Sequence, residues 1–227
     1  MSKGKETRQR IVAEAAALFN QRGFQGASLA ALMQATGLEK GGIYRHFESK
    51  EALAAEAFDF AWRAAADART LELDSIPNSV DKLKQFVANF VERRSPIPGG
   101  CPLLNSAVDS DDGNSVLRER AAGALHEWID TLISIIRSGI RKREISRRVD
   151  SRKLAILIIS CLEGALMIAR LEHDKQALQL AQTHLQLYLD TQVRLAKRVV
   201  LRASTPGSIR KNRGRSGLRN RSSRSIA

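Results

Sequence analysis

Residues 28–53 read SLAALMQATGLEKGGIYRHFESKEAL, and this stretch decides the fold. Ser28 stands before Leu29, Leu32 and Met33, where its side chain can cap a short helix over residues 28–36. Gly37 ends that helix with a backbone turn of positive φ, which glycine adopts at little cost. Leu38 packs between the helices, and a second helix follows over residues 39–46. In it Ile43 and Phe47 face inward with Leu32, leaving Lys40, Gly41, Gly42, Tyr44, Arg45 and His46 outward. Two short helices around a glycine turn form a helix-turn-helix, whose second helix enters the DNA major groove. Lys40, Arg45 and Lys50 suit phosphates or guanine edges, Tyr44 can donate to phosphate, and the two glycines let backbone approach the groove. The helix starts at Ser28 and Ser49 add anion-binding N–H groups.

Outward from this segment the chain reads as helix throughout. Residues 6–22 carry Ile11, Ala15, Leu18 and Phe19 on one face, with Gly23 as a stop. An amphipathic helix starts at Ser49 and reaches about residue 73, with Leu53, Phe58 and Trp62 among its apolar positions. A break at 74–80 contains Pro77, and a helix over 81–94 follows. SPIPGGCP is a loop, residues 103–110 a short helix, and long helices span 115–145, 151–171 and 175–202. The class is all-α, with about nine helices. Residues 1–50 form the DNA-binding part and 51–203 a larger helical domain. From residue 204 the composition turns to Ser, Gly, Asn and Arg without apolar periodicity, so 204–227 read as a disordered basic tail.

Charge and composition narrow the function. Hydrophobic residues make up 43% and aromatics only 5%, which suits helices better than strands. The formal net charge of +13 favours phosphate-bearing partners, but seven basic residues and no acid lie beyond Ala203, leaving +6 for the rest. That tail either adds sequence-independent phosphate contacts or is a solvated extension. No apolar signal core follows the basic amino end, so the expected place is the cytoplasm. Residues 154–171, the most apolar segment, contain Glu163, Gly164 and Arg170 and read as short of a membrane span. Cys101 and Cys161 make no metal or disulfide pattern. The nucleophile-elbow, paired-histidine zinc and phosphate-loop motifs are absent and the four histidines are dispersed, so neither an enzyme nor a cofactor is expected.

Across residues 6–60, and most closely at GLEKGGIYRHFESK, the sequence resembles the TetR family of repressors. One departure is Leu29, Ala30 and Ala31, where the family often places polar DNA-facing residues; base reading then falls on Lys40 through Arg45. The resemblance implies a homodimer on a palindromic double-stranded operator and a carboxyl-terminal pocket for an unknown small-molecule effector whose binding releases DNA. The helices at 151–171 and 175–202 agree in carrying apolar faces wider than one partner covers (Ile156, Ile159, Leu162, Met167; Leu178, Leu185, Leu189, Val193). Candidate pocket residues are Trp62, Phe86, Phe90, Leu104, Asn105, Trp128 and Met167. Cys101 joins them as a thiol in a solvent-reachable loop, with Arg93 and Arg94 near in sequence to favour thiolate. GGCPLLNSAVDSDDGNSVLRERA is similar to the same stretch of family members that respond to electrophiles or oxidants. A nucleoid-associated or architectural DNA binder without a ligand is the alternative.

Overall fold

The computed structural model describes residues 2–93, 95–109 and 114–195. Arg94, the tail at 204–227 and the end of the helix expected over 175–202 lie outside them. Nine α-helices are present among the described residues: α1 (Lys3–Gly26), α2 (Leu29–Thr36), α3 (Lys40–Tyr44), α4 (Lys50–Thr70), α5 (Ser79–Glu92), α6 (Pro102–Asp109), α7 (Ser115–Arg141), α8 (Ser151–Leu171) and α9 (Gln176–Tyr188).

Side-chain caps start most of these helices. Ser28 Oγ accepts from Ala31 N at 3.2 Å and Ser49 Oγ from Ala52 N at 3.1 Å. Asn78 and Asp150 do the same for α5 and α8. The regular turn of α1 breaks at Gly23, where the sequence places its stop, and the chain continues helically to Gly26.

Two apolar cores meet along α4. The first holds Ile11, Ala15, Leu18, Leu32, Ile43 and Phe47, and α4 supplies Leu53, Ala57 and Ala61 to it. The second lies among α4 to α9, and α4 supplies Ala54, Phe58 and Trp62. One helix thus has a face in each core.

The carboxyl-terminal helix is shorter than the sequence implies. After α9 a π-helical turn spans Leu189–Val193, and Arg194 then pairs in an isolated bridge with Ile145. Ser146 N donates to Val193 O at 3.1 Å and Leu195 N to Glu144 O at 2.8 Å. The segment in α8 also needs correction: it is long and apolar enough to cross a membrane, with a mean hydropathy of 2.1. Here it is a bundle helix, with Leu154, Ala155, Ile158, Ile159, Leu162, Ala165 and Ala169 buried in the second core. Its opposite side, with Ile156, Leu157, Met167, Ile168 and Leu171, is exposed.

Candidate nucleic-acid interface and ligand cavity

The segment at 28–47 folds as its sequence requires. Gly37 takes φ 65°, ψ 25°, the left-handed turn that only glycine adopts without strain, and its N–H caps α2 on Met33 O at 2.9 Å. Leu32, Ile43 and Phe47 are buried in the first core, and Leu38 packs against it. The Arg8 guanidinium lies 4.6 Å from the Phe47 ring centre and pairs with both carboxylate oxygens of Glu56, tying α1 to α4 around the end of α3. The result is a short α3 held from behind.

Its front is left open. Ser28, Lys40, Gly41 and Arg45 are exposed, and Gly42, Tyr44 and His46 are half-buried. The side chains of Lys40, Tyr44, Arg45 and His46 form no hydrogen bond or ion pair among the described residues, so their polar atoms are available to a partner. The two glycines differ. A Cβ on Gly41 would meet nothing within 4 Å, whereas one on Gly42 would lie 3.4 Å from Leu38 Cβ. Gly42 therefore packs against the chain, and Gly41 leaves open space outward. Lys50 also differs from the expectation of a free phosphate ligand. Its ammonium donates to Phe24 O at 2.6 Å and lies 4.4 Å from the Phe24 ring centre, joining the start of α4 to the end of α1.

A cavity of about 410 Å³ opens in the second core, bounded by α4, α5, α8, the start of α9 and the loop before α6. Arg69, which no motif in the sequence singles out, forms part of its wall. This guanidinium is buried 5.2 Å from Trp62, 5.0 Å from Phe90 and 4.1 Å from Trp128, measured to ring centres. Arg69 Nη2 donates to Cys101 Sγ at 3.0 Å and lies 3.8 Å from Glu163 Oε1. Arg69 Nη1, Trp128 Nε1 and both oxygens of Glu163 are buried without a hydrogen-bond partner. Burial pushes the Glu163 carboxyl above the usual carboxylate range, against the opposing pull of Cys101 and Arg69. The signal for this centre was Glu163, an acid inside an otherwise apolar helix.

The candidate pocket residues divide. Phe90 and Cys101 line the cavity. Trp62, Phe86 and Trp128 line a small adjoining cleft, where Trp128 lies 6.0, 6.2 and 5.9 Å from Trp62, Phe86 and Phe90. Leu104 packs against the core outside the cavity lining. Met167 is 49% exposed on the outer side of α8, so its place in a pocket is corrected. Asn105 is a clip: its amide donates to Asn20 O, Asn20 Oδ1 and Gly99 O, each at 2.9 Å. Asn20 Nδ2 in turn donates to Pro98 O at 2.8 Å and Gly100 O at 3.2 Å. Gly99 must be glycine for this approach, since a Cβ there would sit 2.6 Å from Asn20 O. The loop entering the cavity wall is thus fastened to α1.

Cys101 is also corrected. It is 4% exposed rather than open to solvent, and Arg69 is the cation beside it. Burial, the largest cause, raises its thiol to about 11, the nearby Glu163 adding to the rise and Arg69 opposing it. At neutral pH it is a protonated thiol.

Comparisons with known proteins fit this arrangement. Residues 11–57 match the family described as "Bacterial regulatory proteins, tetR family", and residues 79–185 match "Tetracyclin repressor-like, C-terminal domain". A transcriptional regulator of known structure from Chloroflexus aurantiacus is 48% identical, covers 86% of this chain and 100% of its own, and superposes with a TM-score of 0.82. One from Cytophaga hutchinsonii is 32% identical, with 87% and 99% covered and a TM-score of 0.81. The HTH-type transcriptional repressor DhaR of a Mycobacterium species is 27% identical over 174 residues, covering 75% of this chain and 86% of that protein.

Proposed function

The chain belongs to the TetR family of bacterial regulators, which bind DNA and catalyse no reaction, and on that premise we propose that it is a dimeric repressor released from a palindromic operator by a small molecule. The observation that carries the reading is the front of α3. Lys40, Tyr44, Arg45 and His46 stand on a rigid, well-packed support with their polar atoms unspent. Lys40 and Arg45 reach phosphates or guanine edges, Gly41 admits the groove closely, and Ser28 keeps a hydroxyl proton for phosphate at the start of α2. Lys50 acts first as a brace on Phe24 and has further donors for a phosphate.

Residues 1–50 do the reading in this view, and 51–203 bind effector and partner. The exposed apolar side of α8 continues onto α9 at Leu180 and Leu187, a face suited to a four-helix contact with a second copy. Two-fold pairing sets two α3 helices on successive major grooves, which requires operator palindromy and a place where the chromosome is, the cytoplasm. The cavity near Arg69 favours ligand gating over an architectural role, because it abuts the loop that Asn20 and Asn105 fasten to α1. A ligand that prefers one placement of that loop shifts α1 and α4 and so changes the spacing of the two α3 helices.

The test is a fluorescence-anisotropy titration of a labelled duplex selected from random-sequence DNA by the wild-type protein. Arg45→Ala and Tyr44→Ala are expected to weaken binding while the melting temperature holds. Undiminished affinity in both variants would remove α3 as the reading element.

A further inference from the structure

We propose that the cavity takes a small amphipathic carboxylate, its acid group received by Arg69 and its hydrocarbon body lying against Phe90, Val91, Leu166 and Leu178. This rests on the effector reading above and gives it a ligand class.

Arg69 carries the argument. A guanidinium has five N–H donors, and burying it is costly unless they are met by acceptors. Its side chain is more than nine-tenths buried, yet its one hydrogen bond goes to the sulfur of Cys101, a weak acceptor, and Nη1 has none. Glu163 is a poor counter-ion: it lies at 3.8 Å, beyond hydrogen-bond distance, and burial favours its neutral form. The faces of Trp62, Phe90 and Trp128 offset part of the charge but accept no strong hydrogen bond. What remains is an unpartnered donor on a residue of the cavity wall, and a carboxylate meets a guanidinium with two parallel bonds.

The rest of the lining agrees. Lys175 adds a second cation, while Arg93 is paired with Glu72 at 3.5 Å and the one lining acid is Glu92. Glu92 is already engaged, accepting from Gln182 Nε2 at 2.6 Å, whereas the Lys175 ammonium has no partner among the described residues. A cationic guest is opposed twice: the aromatic box is filled by the protein's own guanidinium, and a second positive charge beside it is repelled strongly where water is scarce. A phosphate dianion would bring two charges to a single buried cation among apolar walls, so the carboxylate is the better match.

The chain has two tryptophans, Trp62 and Trp128, and both lie against Arg69, so intrinsic fluorescence reads this centre directly. The experiment titrates the full chain with decanoate and 4-phenylbutyrate, their neutral amides, and decyltrimethylammonium. Expected are saturable fluorescence changes with both acids, at least tenfold weaker binding of the amides, and none of the cation. Arg69→Gln should erase the preference for acid over amide. Glu163→Gln, which removes the competing acid without opening a cavity, should tighten the acids and leave the amides unchanged. Amides or the cation binding as well as the acids, an acid preference surviving in Arg69→Gln, or no saturable change with either acid each overturn the proposal. Adding labelled operator separates the two readings. Release by an amide at the concentration at which its acid releases overturns the anion site and leaves ligand gating intact. Saturable acid binding without release supports the anion site and removes the gating.

Discussion

The front of α3 and the centre at Arg69 both hold polar groups that the fold does not use, but one set faces water and the other is buried. At α3 water satisfies Lys40, Tyr44, Arg45 and His46 in the free protein, so leaving them unpaired costs folding little. At Arg69 the same shortfall lies among aromatic rings, where each unmet donor or acceptor raises the free energy of the folded state. The difference predicts opposite responses to substitution. Changes on α3 should move operator affinity and spare stability, and changes at the buried centre should move stability.

The largest effect tests the buried side. Glu163→Ala removes the carboxyl beside the buried Arg69 guanidinium and should cost about 3 kcal/mol, the low end for breaking such a pair because 3.8 Å and a raised carboxyl pKa already weaken it. The double change Arg69→Met with Glu163→Leu takes both ionisable groups away and should recover most of that loss. Urea unfolding followed by circular dichroism measures both. A neutral Glu163→Ala would erase the contrast between the two regions. Next in size are Arg45→Ala and Tyr44→Ala, each expected to weaken operator binding roughly tenfold to a hundredfold, about 1–3 kcal/mol, with unfolding midpoints at the wild-type value. A drop in midpoint would show that these side chains support the fold.

A pH series sharpens the same point from inside. The Cys101 thiol is raised in the folded chain from the ordinary thiol range to about 11. Below the ordinary value both states hold the proton and stability is unaffected. As pH rises from there toward 11, the unfolded chain gives up its proton while the folded chain keeps it, so stability falls, by up to about 2 kcal/mol. Cys101→Ala should flatten that alkaline arm when the two unfolding free energies are compared from pH 8 to pH 11. Parallel curves would mean that the thiol is not sealed.

What was legible in the sequence follows the same line. Ser28, Gly37, Leu32, Ile43 and Phe47 act within one short segment, so spacing and turn chemistry reveal them. Lys50 could not be placed this way, because its acceptor is the Phe24 carbonyl at the end of another helix. Cys101 has Arg93 and Arg94 near it in sequence, while the cation that reaches it comes from α4. Met167 shows a different limit. Helix α8 is apolar on both sides, so periodicity finds which residues share a face and not which face turns inward. In sequence Arg69 is a basic residue in the last turn of α4, and only the tertiary packing of Trp62, Phe90 and Trp128 around it makes it a centre.

The smallest expected effect isolates the DNA-facing side most cleanly. Alanine is the better helix former, so Gly41→Ala should stabilise α3 by up to about 1 kcal/mol, and no neighbour opposes the new methyl within 4 Å. Gly42→Ala gains the same propensity but sets its methyl against Leu38 at 3.4 Å, so its net change in stability should be smaller. If DNA backbone or base edges come close to α3 at Gly41, the stabilised variant must bind operator less well, an affinity loss that unfolding cannot explain. Anisotropy titration beside urea unfolding reads both quantities on the same protein. Equal or tighter binding by Gly41→Ala would place the groove elsewhere on α3 and shift the contact surface toward Lys40, Tyr44 and Arg45 alone.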